Sequence, residues 1–261
     1  MPNRIDQCFS ALRSRNEKAF IAYICAGDPD LPRTIDLALA LEKAGVDILE
    51  LGVPFSDPLA DGLVNQLAAQ RALEAGATLP GVLDCIRQIR RRSQIPIVLY
   101  TYLNPIFQFG LDRFHREAGD AGVDGLLLLD LPPEEDQPCN GPLHIRLIAP
   151  TTPPERIAQI CAQAAGFIYY VSREGVTGVQ KSVVSSLGDR VREIRQHSQL
   201  PIAVGFGIST ADQAGEVAKV ADAVVVGSAI VDRIREDSTK SDLPARITAF
   251  VAPLAAAVKN R

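Results

Sequence analysis

Short apolar runs alternate with stretches in which apolar side chains recur every three or four positions, and the alternation continues along the chain. Runs of the first kind suit strands buried on both faces. Those of the second suit helices with one buried stripe. Their succession predicts strands at residues 20–25, 46–49, 97–101, 125–129, 143–148, 167–171, 202–204 and 223–226. It predicts helices at 5–13, 31–44, 64–75, 79–91, 111–121, 155–164 and 183–196, and a short one starting at Gly227–Ser228. Eight apolar strands interleaved with helical segments close into a parallel barrel more naturally than they leave an open sheet. The expected fold is therefore a (β/α)8 TIM barrel with an extra N-terminal helix, one domain over residues 1–261.

One unit is thin. Between the fourth and fifth strands lies only Leu131-Pro-Pro-Glu-Glu-Asp-Gln-Pro-Cys-Asn-Gly-Pro142. Pro138 and Pro142 have no N–H to donate, and Asn140-Gly141 forms turns. The fourth helix is accordingly expected to be truncated, at most about two turns between Pro132 and Pro138. The outer faces of strands four and five should then be the least covered and the easiest to open.

The chemistry concentrates after the second strand, in Leu49-Glu-Leu-Gly-Val-Pro-Phe-Ser-Asp-Pro-Leu-Ala-Asp-Gly62. Glu50 is expected at the end of the strand, and Asp61 where the next helix begins. Pro54 and Pro58 stiffen the loop between them by fixing φ. Two carboxyls brought to one cavity suit acid–base work, because unlike surroundings push their pKa values apart. The plainer alternative is a structural ion pair for Glu50 and a helix cap for Asp61. Late in the chain, Gly175-Val-Thr-Gly178, Gly205-Phe-Gly207 and Gly227-Ser228-Ala229 fall at successive strand ends. Glycine lets backbone N–H groups approach an anion, and a helix start at Ser228 attracts one, so a phosphate is expected there.

Composition narrows the choices. A hydrophobic share of 47% supports a sizeable core, and a net charge of −4 leaves no footprint for nucleic acid. No apolar run approaches the ~20 residues that cross a bilayer, and the first residues do not read as a secretory signal. Five scattered cysteines without a Cys-x-x-Cys argue for reduced thiols in a cytoplasmic or plastid-stromal compartment. The three histidines have no metal-ligand spacing, so no metal is expected. None of the six lysines falls in a predicted strand, which argues against a Schiff base. What remains is proton transfer on a phosphorylated substrate without a cofactor.

These residues carry a resemblance. The stretch from Leu49 to Gly62 resembles the signature of the tryptophan synthase alpha chain family. So do Gly27-Asp-Pro29, Ser172-Arg-Glu-Gly-Val-Thr-Gly178, Gly205-Phe-Gly-Ile208 and Gly227-Ser-Ala-Ile230, in the family's order. The resemblance implies retro-aldol cleavage of indole-3-glycerol phosphate to indole and glyceraldehyde 3-phosphate. It also implies a pyridoxal-phosphate-dependent beta chain as partner, in an αββα heterotetramer that completes tryptophan biosynthesis. Carried over by position, Glu50 is the general acid–base and Asp61 accepts the indole N–H. Tyr169 stands beside Glu50, with Tyr170 pointing away from the site. Thr177 bonds the aspartate on loop closure, and Gly178, Phe206, Gly207, Gly227 and Ser228 cradle the phosphate. Pro54 and Asp57 face the beta chain. The family usually has a longer fourth helix, and this chain departs from it there. Two other readings stay open at this point: a free-standing indole-3-glycerol phosphate lyase releasing indole, and a barrel that only binds a phosphorylated ligand.

Overall fold

The computed structural model describes residues 3–136, 141–172, 181–205 and 207–259, with only the backbone of 181–185. Eight parallel strands close one barrel: β1 (Ala19–Cys25), β2 (Ile48–Gly52), β3 (Ile97–Thr101), β4 (Gly125–Leu128), β5 (Leu143–Ile148), β6 (Ile168–Val171), β7 (Ile202–Gly205) and β8 (Ala223–Val226). Each pairs with the next, and β8 closes on β1. Around them run α1 (Arg4–Ser14), α2 (Leu31–Lys43), α3 (Leu63–Glu74), α4 (Leu79–Arg90), α5 (Leu103–Phe109), α6 (Leu111–Ala121), α7 (Pro154–Ala162), α8 (Lys181–Arg195), α9 (Ala211–Ala218), α10 (Ser228–Asp237) and α11 (Leu243–Lys259). Among the described residues no helix is long and apolar enough to cross a membrane.

Strand alternation sorts the core into two shells. Phe20, Ala22 and Ile24 of β1, and Leu49 and Leu51 of β2, pack outward against the helices. Ala19, Ile21, Ile48, Val98, Leu127, Ile145 and Ala203 point inward and fill the barrel's lower half. The N-terminal helix plugs the bottom: Ile5, Phe9 and Leu12 join the inner shell, and the Phe9 and Phe167 rings lie 5.8 Å apart.

Three aspartates tie the lower rim. Asp47, Asp124 and Asp222 immediately precede β2, β4 and β8, and each accepts an N–H from the neighbouring strand: Phe20 (2.8 Å), Ile97 (2.9 Å) and Ile202 (3.0 Å). Each also meets a cation: Lys259 on Asp47, Arg4 and Arg90 on Asp124, Arg195 on Asp222. The expected second strand had Asp47 within it and Glu50 at its end. In the structure β2 starts two residues later and ends at Gly52, so Glu50 is its third residue of five. The Asp47 carboxylate explains the shift, since it is spent on Phe20 and Lys259 below the strand.

The helix expected at 111–121 is present as α6, but α5 precedes it unannounced. Pro105 lies in the first turn of α5, where a missing N–H removes no helical bond. In the fourth unit the expectation holds for the described residues. A single 3-10 turn covers Pro133–Glu135, and Asp136 is already extended at φ −76°, ψ 132°; residues 137–140 lie outside the described residues. Among the described residues no helix of the fourth unit covers β5. Its outward His144 and Arg146 both bond the Asp136 carboxylate, and the His144 ring stacks on His115 of α6 at 5.5 Å.

Candidate active site

The upper ends of the strands open on a cavity of about 690 Å³. Glu50, Asp61, Tyr169, Gly207, Gly227 and Ser228, which come from five parts of the sequence, all line it. Thr177, Gly178 and Phe206 lie outside the described residues. Pro54 is buried beneath the loop after β2, and Asp57 is exposed on it.

Glu50 points inward because it shares the face of Ile48, while Leu49 and Leu51 pack outward. It is 1% exposed, and its Oε1 is buried with no hydrogen-bond partner among the described residues. Burial first and the Asp61 charge second push its carboxyl up to about 8. A structural ion pair would have pulled it down.

Asp61 is handled differently. Tyr102 Oη donates to its Oδ2 at 2.7 Å and Tyr100 Oη to its Oδ1 at 2.9 Å. Burial raises its pKa, while the bonds from Tyr102, Tyr100 and Asn65 act to lower it. It does not cap the helix behind it, since the N-cap of α3 is Gly62 with no side-chain bond. The Tyr102 hydroxyl also accepts the N–H of Ala60 at 2.9 Å, which fastens the loop to β3.

Tyrosine is the residue type that sequence reasoning undervalued. Of five in the chain, Tyr23, Tyr100 and Tyr169 line the cavity and Tyr102 bonds Asp61, while Tyr170 packs in the outer shell. Tyr169 and Tyr170 thus point apart as alternation requires. A signal was available for the pair at the top of β3: Tyr100 in the strand and Tyr102 just past its end, still extended, are two apart and so share a face. Two glycines make room for the rings. A Cβ on Gly52 would sit 2.4 Å from Tyr23 Oη, and one on Gly205 would sit 2.6 Å from Tyr169 Oη.

Opposite the carboxyls the wall is backbone. Gly207 has φ +63°, which favours glycine, and Gly227 precedes the ten-residue α10. Ile230 and Val231 donate to the Gly227 carbonyl, so the N–H groups of Ser228 and Ala229 belong to the first turn and have no intrahelical acceptor. Leu129, Leu147 and Val225 supply an apolar wall between the two ends. On the first loop, Asp28 is buried and takes both arms of Arg71 from α3, at 2.9 and 2.7 Å.

Fold and cavity together define a class: a (β/α)8-barrel enzyme with two carboxyls on one cavity, one buried without a partner and one held by tyrosine hydroxyls. The comparisons give the family. The model of the tryptophan synthase alpha chain family matches residues 9–259. The tryptophan synthase alpha chain of Opitutus terrae is 54% identical over 259 residues, covering 97% of this chain and 96% of that one. Among solved structures, the alpha subunit of Legionella pneumophila superposes with a TM-score of 0.90 at 38% identity, with 99% of each chain covered. An aminoacrylate-bound tryptophan synthase from M. tuberculosis matches with a TM-score of 0.86 at 31% identity, over 99% of this chain and 100% of that one. The chain belongs to the tryptophan synthase alpha chain family.

Proposed function

We infer that this cavity carries out the lyase reaction of its family, the retro-aldol cleavage of indole-3-glycerol phosphate to indole and glyceraldehyde 3-phosphate. The observation that carries the division of labour is the contrast between a buried Glu50 with an unpartnered oxygen and an Asp61 held by two tyrosine hydroxyls. With a pKa near 8, Glu50 enters protonated at neutral pH and gives its proton to indole C3. The ring becomes an indoleninium, and Asp61 accepts its N–H and stabilises the positive charge. Glu50, now a carboxylate, takes the proton from the hydroxyl on the carbon attached to C3. That O–H pair becomes the aldehyde C=O, the C–C bond breaks, and its electrons return to the ring. Glu50 ends protonated, as it began.

The substrate's phosphate is assigned to the Gly207 and Gly227–Ser228 end, together with Gly178 and Phe206. The indole is assigned to the apolar wall beside Tyr169, and Thr177 to the contact with Asp61 on closure. The partner is a pyridoxal-phosphate-dependent beta chain, in an αββα complex. Exposed apolar side chains on the loop of Asp57, at the start of α3 and on α5 support this. Leu59 is 92% exposed, Leu63 69% and Phe107 62%. Such a patch suits a partnered subunit better than a free-standing lyase. Cys8, Cys25, Cys85 and Cys161 are free thiols, which supports a cytoplasmic setting.

The test is direct. The purified chain is incubated with indole-3-glycerol phosphate and indole is followed by fluorescence, against a protein that contains no tryptophan. Indole should appear, and adding purified beta chain should raise turnover. Absence of indole with and without the beta chain would reject the activity. A second variant isolates the anion end: Gly207→Asp should raise KM sharply, since it puts a like charge where backbone meets phosphate.

A further inference from the structure

Asp61 has more donors than a simple acceptor of one ring N–H requires, and they arrive from two elements. Ionised, its carboxylate offers about four lone-pair sites. Tyr102 takes one on Oδ2 and Tyr100 one on Oδ1. About one site on each oxygen remains for a substrate N–H. Both phenols must donate, because an ionised carboxylate has no hydrogen to give, and the Tyr102 oxygen is further committed to the Ala60 N–H.

We propose that Tyr100 is a positioning residue for the cleavage: with Tyr102, one hydroxyl on each oxygen, it holds Asp61 as an oriented anion whose remaining acceptor sites serve the indole N–H. The proposal rests on the reading of Asp61 given above and deepens it. Tyr100 is suited to the task because its ring is itself wedged in place. It packs edge-on against Tyr23 at 5.1 Å, and Gly52 is the residue that leaves Tyr23 its room. Tyr100 is also the β3 residue paired in register with Gly52, so the three form one block at the mouth of β1, β2 and β3. Among the described residues the titratable groups acting on this corner are Glu50, Tyr23, Cys25, Tyr100, Tyr102 and Tyr169, with Asp28, Asp130 and Arg71 acting on its margins, and no cation bonds the Asp61 carboxylate. Hydrogen bonds therefore do for Asp61 what a lysine or arginine would otherwise do. A neutral clamp leaves its negative charge available to the indoleninium.

The sign of the pH effect follows. A donor to the anion lowers the pKa of Asp61, so removing one raises it. Activity that needs ionised Asp61 is then lost at a higher pH as the solution is acidified. The experiment measures kcat and KM for indole-3-glycerol phosphate over the pH range around neutrality, using the full chain. It compares wild type, Tyr100→Phe, Asp61→Asn, the double variant, and Tyr170→Phe as an outward-facing control. Tyr100→Phe removes one oxygen and keeps the ring that packs on Tyr23. It should lower kcat about tenfold, the size of one hydrogen bond to a charged group, with KM within about twofold and the acidic limb moved up. In the Asp61→Asn background it should cost nothing further, and Tyr170→Phe should behave as wild type. An unmoved acidic limb in Tyr100→Phe, or the same fold loss in both backgrounds, would overturn the proposal while leaving Asp61's role intact. Full activity in Asp61→Asn would instead remove that role, and the proposal with it.

Discussion

At the lower rim Asp124 is 3% exposed, accepts the Ile97 N–H, and lies 2.9 and 2.7 Å from Arg4 and Arg90. At the upper end Glu50 is 1% exposed, one oxygen has no partner among the described residues, and the charge that acts on it is the like charge of Asp61. Burial is the same for both acids. The company differs, and with it the protonation state. Paired with cations and an N–H, a buried carboxylate is a tie between strands. Left alone beside another acid, it keeps its proton to about pH 8 and becomes an acid that can work near neutrality. The barrel thus separates stability from chemistry along its axis, and substitutions at the two ends should separate the same way.

The largest expected effect is at Glu50. Glu50→Gln keeps the size and hydrogen bonding but has no proton to exchange, so kcat should fall by ~10²–10⁴-fold. The same variant should be the more stable one at alkaline pH. Because burial raises the Glu50 pKa, its favourable contribution is complete below the unfolded value near 4.5 and is lost as pH rises through about 8. A glutamine has no such loss, so above that pH the variant should gain on the order of 2 kcal/mol, roughly 4–8 °C in Tm for a domain of this size. Activity within a few-fold of wild type, or a Tm below it at alkaline pH, would break the comparison at this end.

Asp124→Ala makes the opposite claim. It strands the Arg90 guanidinium, whose pKa burial already lowers to about 10, and orphans the Ile97 N–H. Breaking a buried pair from one side typically costs roughly 3–5 kcal/mol. Denaturant midpoints should drop accordingly, while kcat of the folded fraction stays within about twofold. A large loss of kcat with little loss of stability would show that the lower rim reaches the chemistry.

A third measurement sharpens the upper end. Turnover should decline above about pH 8 as Glu50 loses the proton it must donate. Asp61→Asn removes the charge that is the second cause of Glu50's high pKa, so its residual activity should fall off at lower pH than wild type. A basic limb that stays put would assign the shift to burial alone.

These contrasts were unevenly legible in the sequence. The barrel was readable because strands buried on both faces produce continuous apolar runs, and Glu50 was readable as the acid at the end of one. Asp61 was readable from its proline-stiffened loop. Tyr100 and Tyr102 were not, because their partner lies 39 and 41 residues away and is met only once β2 and β3 pair. Asp47 reads as part of a strand for a similar reason: its cation, Lys259, is 212 residues distant. Local pattern reports which face a side chain takes, and barrel closure decides what it meets there. The α5 helix was hidden differently, by a proline that reads as a breaker anywhere except the first turn.

The smallest effect is expected where neither end's logic applies, on the outside of β5. There Asp136 is bonded by both His144 and Arg146, with side-chain exposures of 12% and 7%, in the place where a fourth helix would lie. It resembles the lower rim in being paired with a cation and the upper end in belonging to a loop. Only three register pairs join β4 to β5, against five between β1 and β2, so the strand depends more on this side-chain tie. Asp136→Ala should cost about 1–2 kcal/mol, less than Asp124→Ala because the cluster borders solvent. The loss should be local. Hydrogen exchange at the amides of β5 should accelerate several-fold while those of β1 hold their wild-type rates, and kcat should not change. Uniform acceleration across all eight strands would mean that the thin fourth unit opens with the whole barrel, and would put Asp136 in the same class as the rim aspartates. Unchanged exchange at β5 would mean that the ring of His115 stacked on His144, and not the carboxylate, holds that strand's outer face.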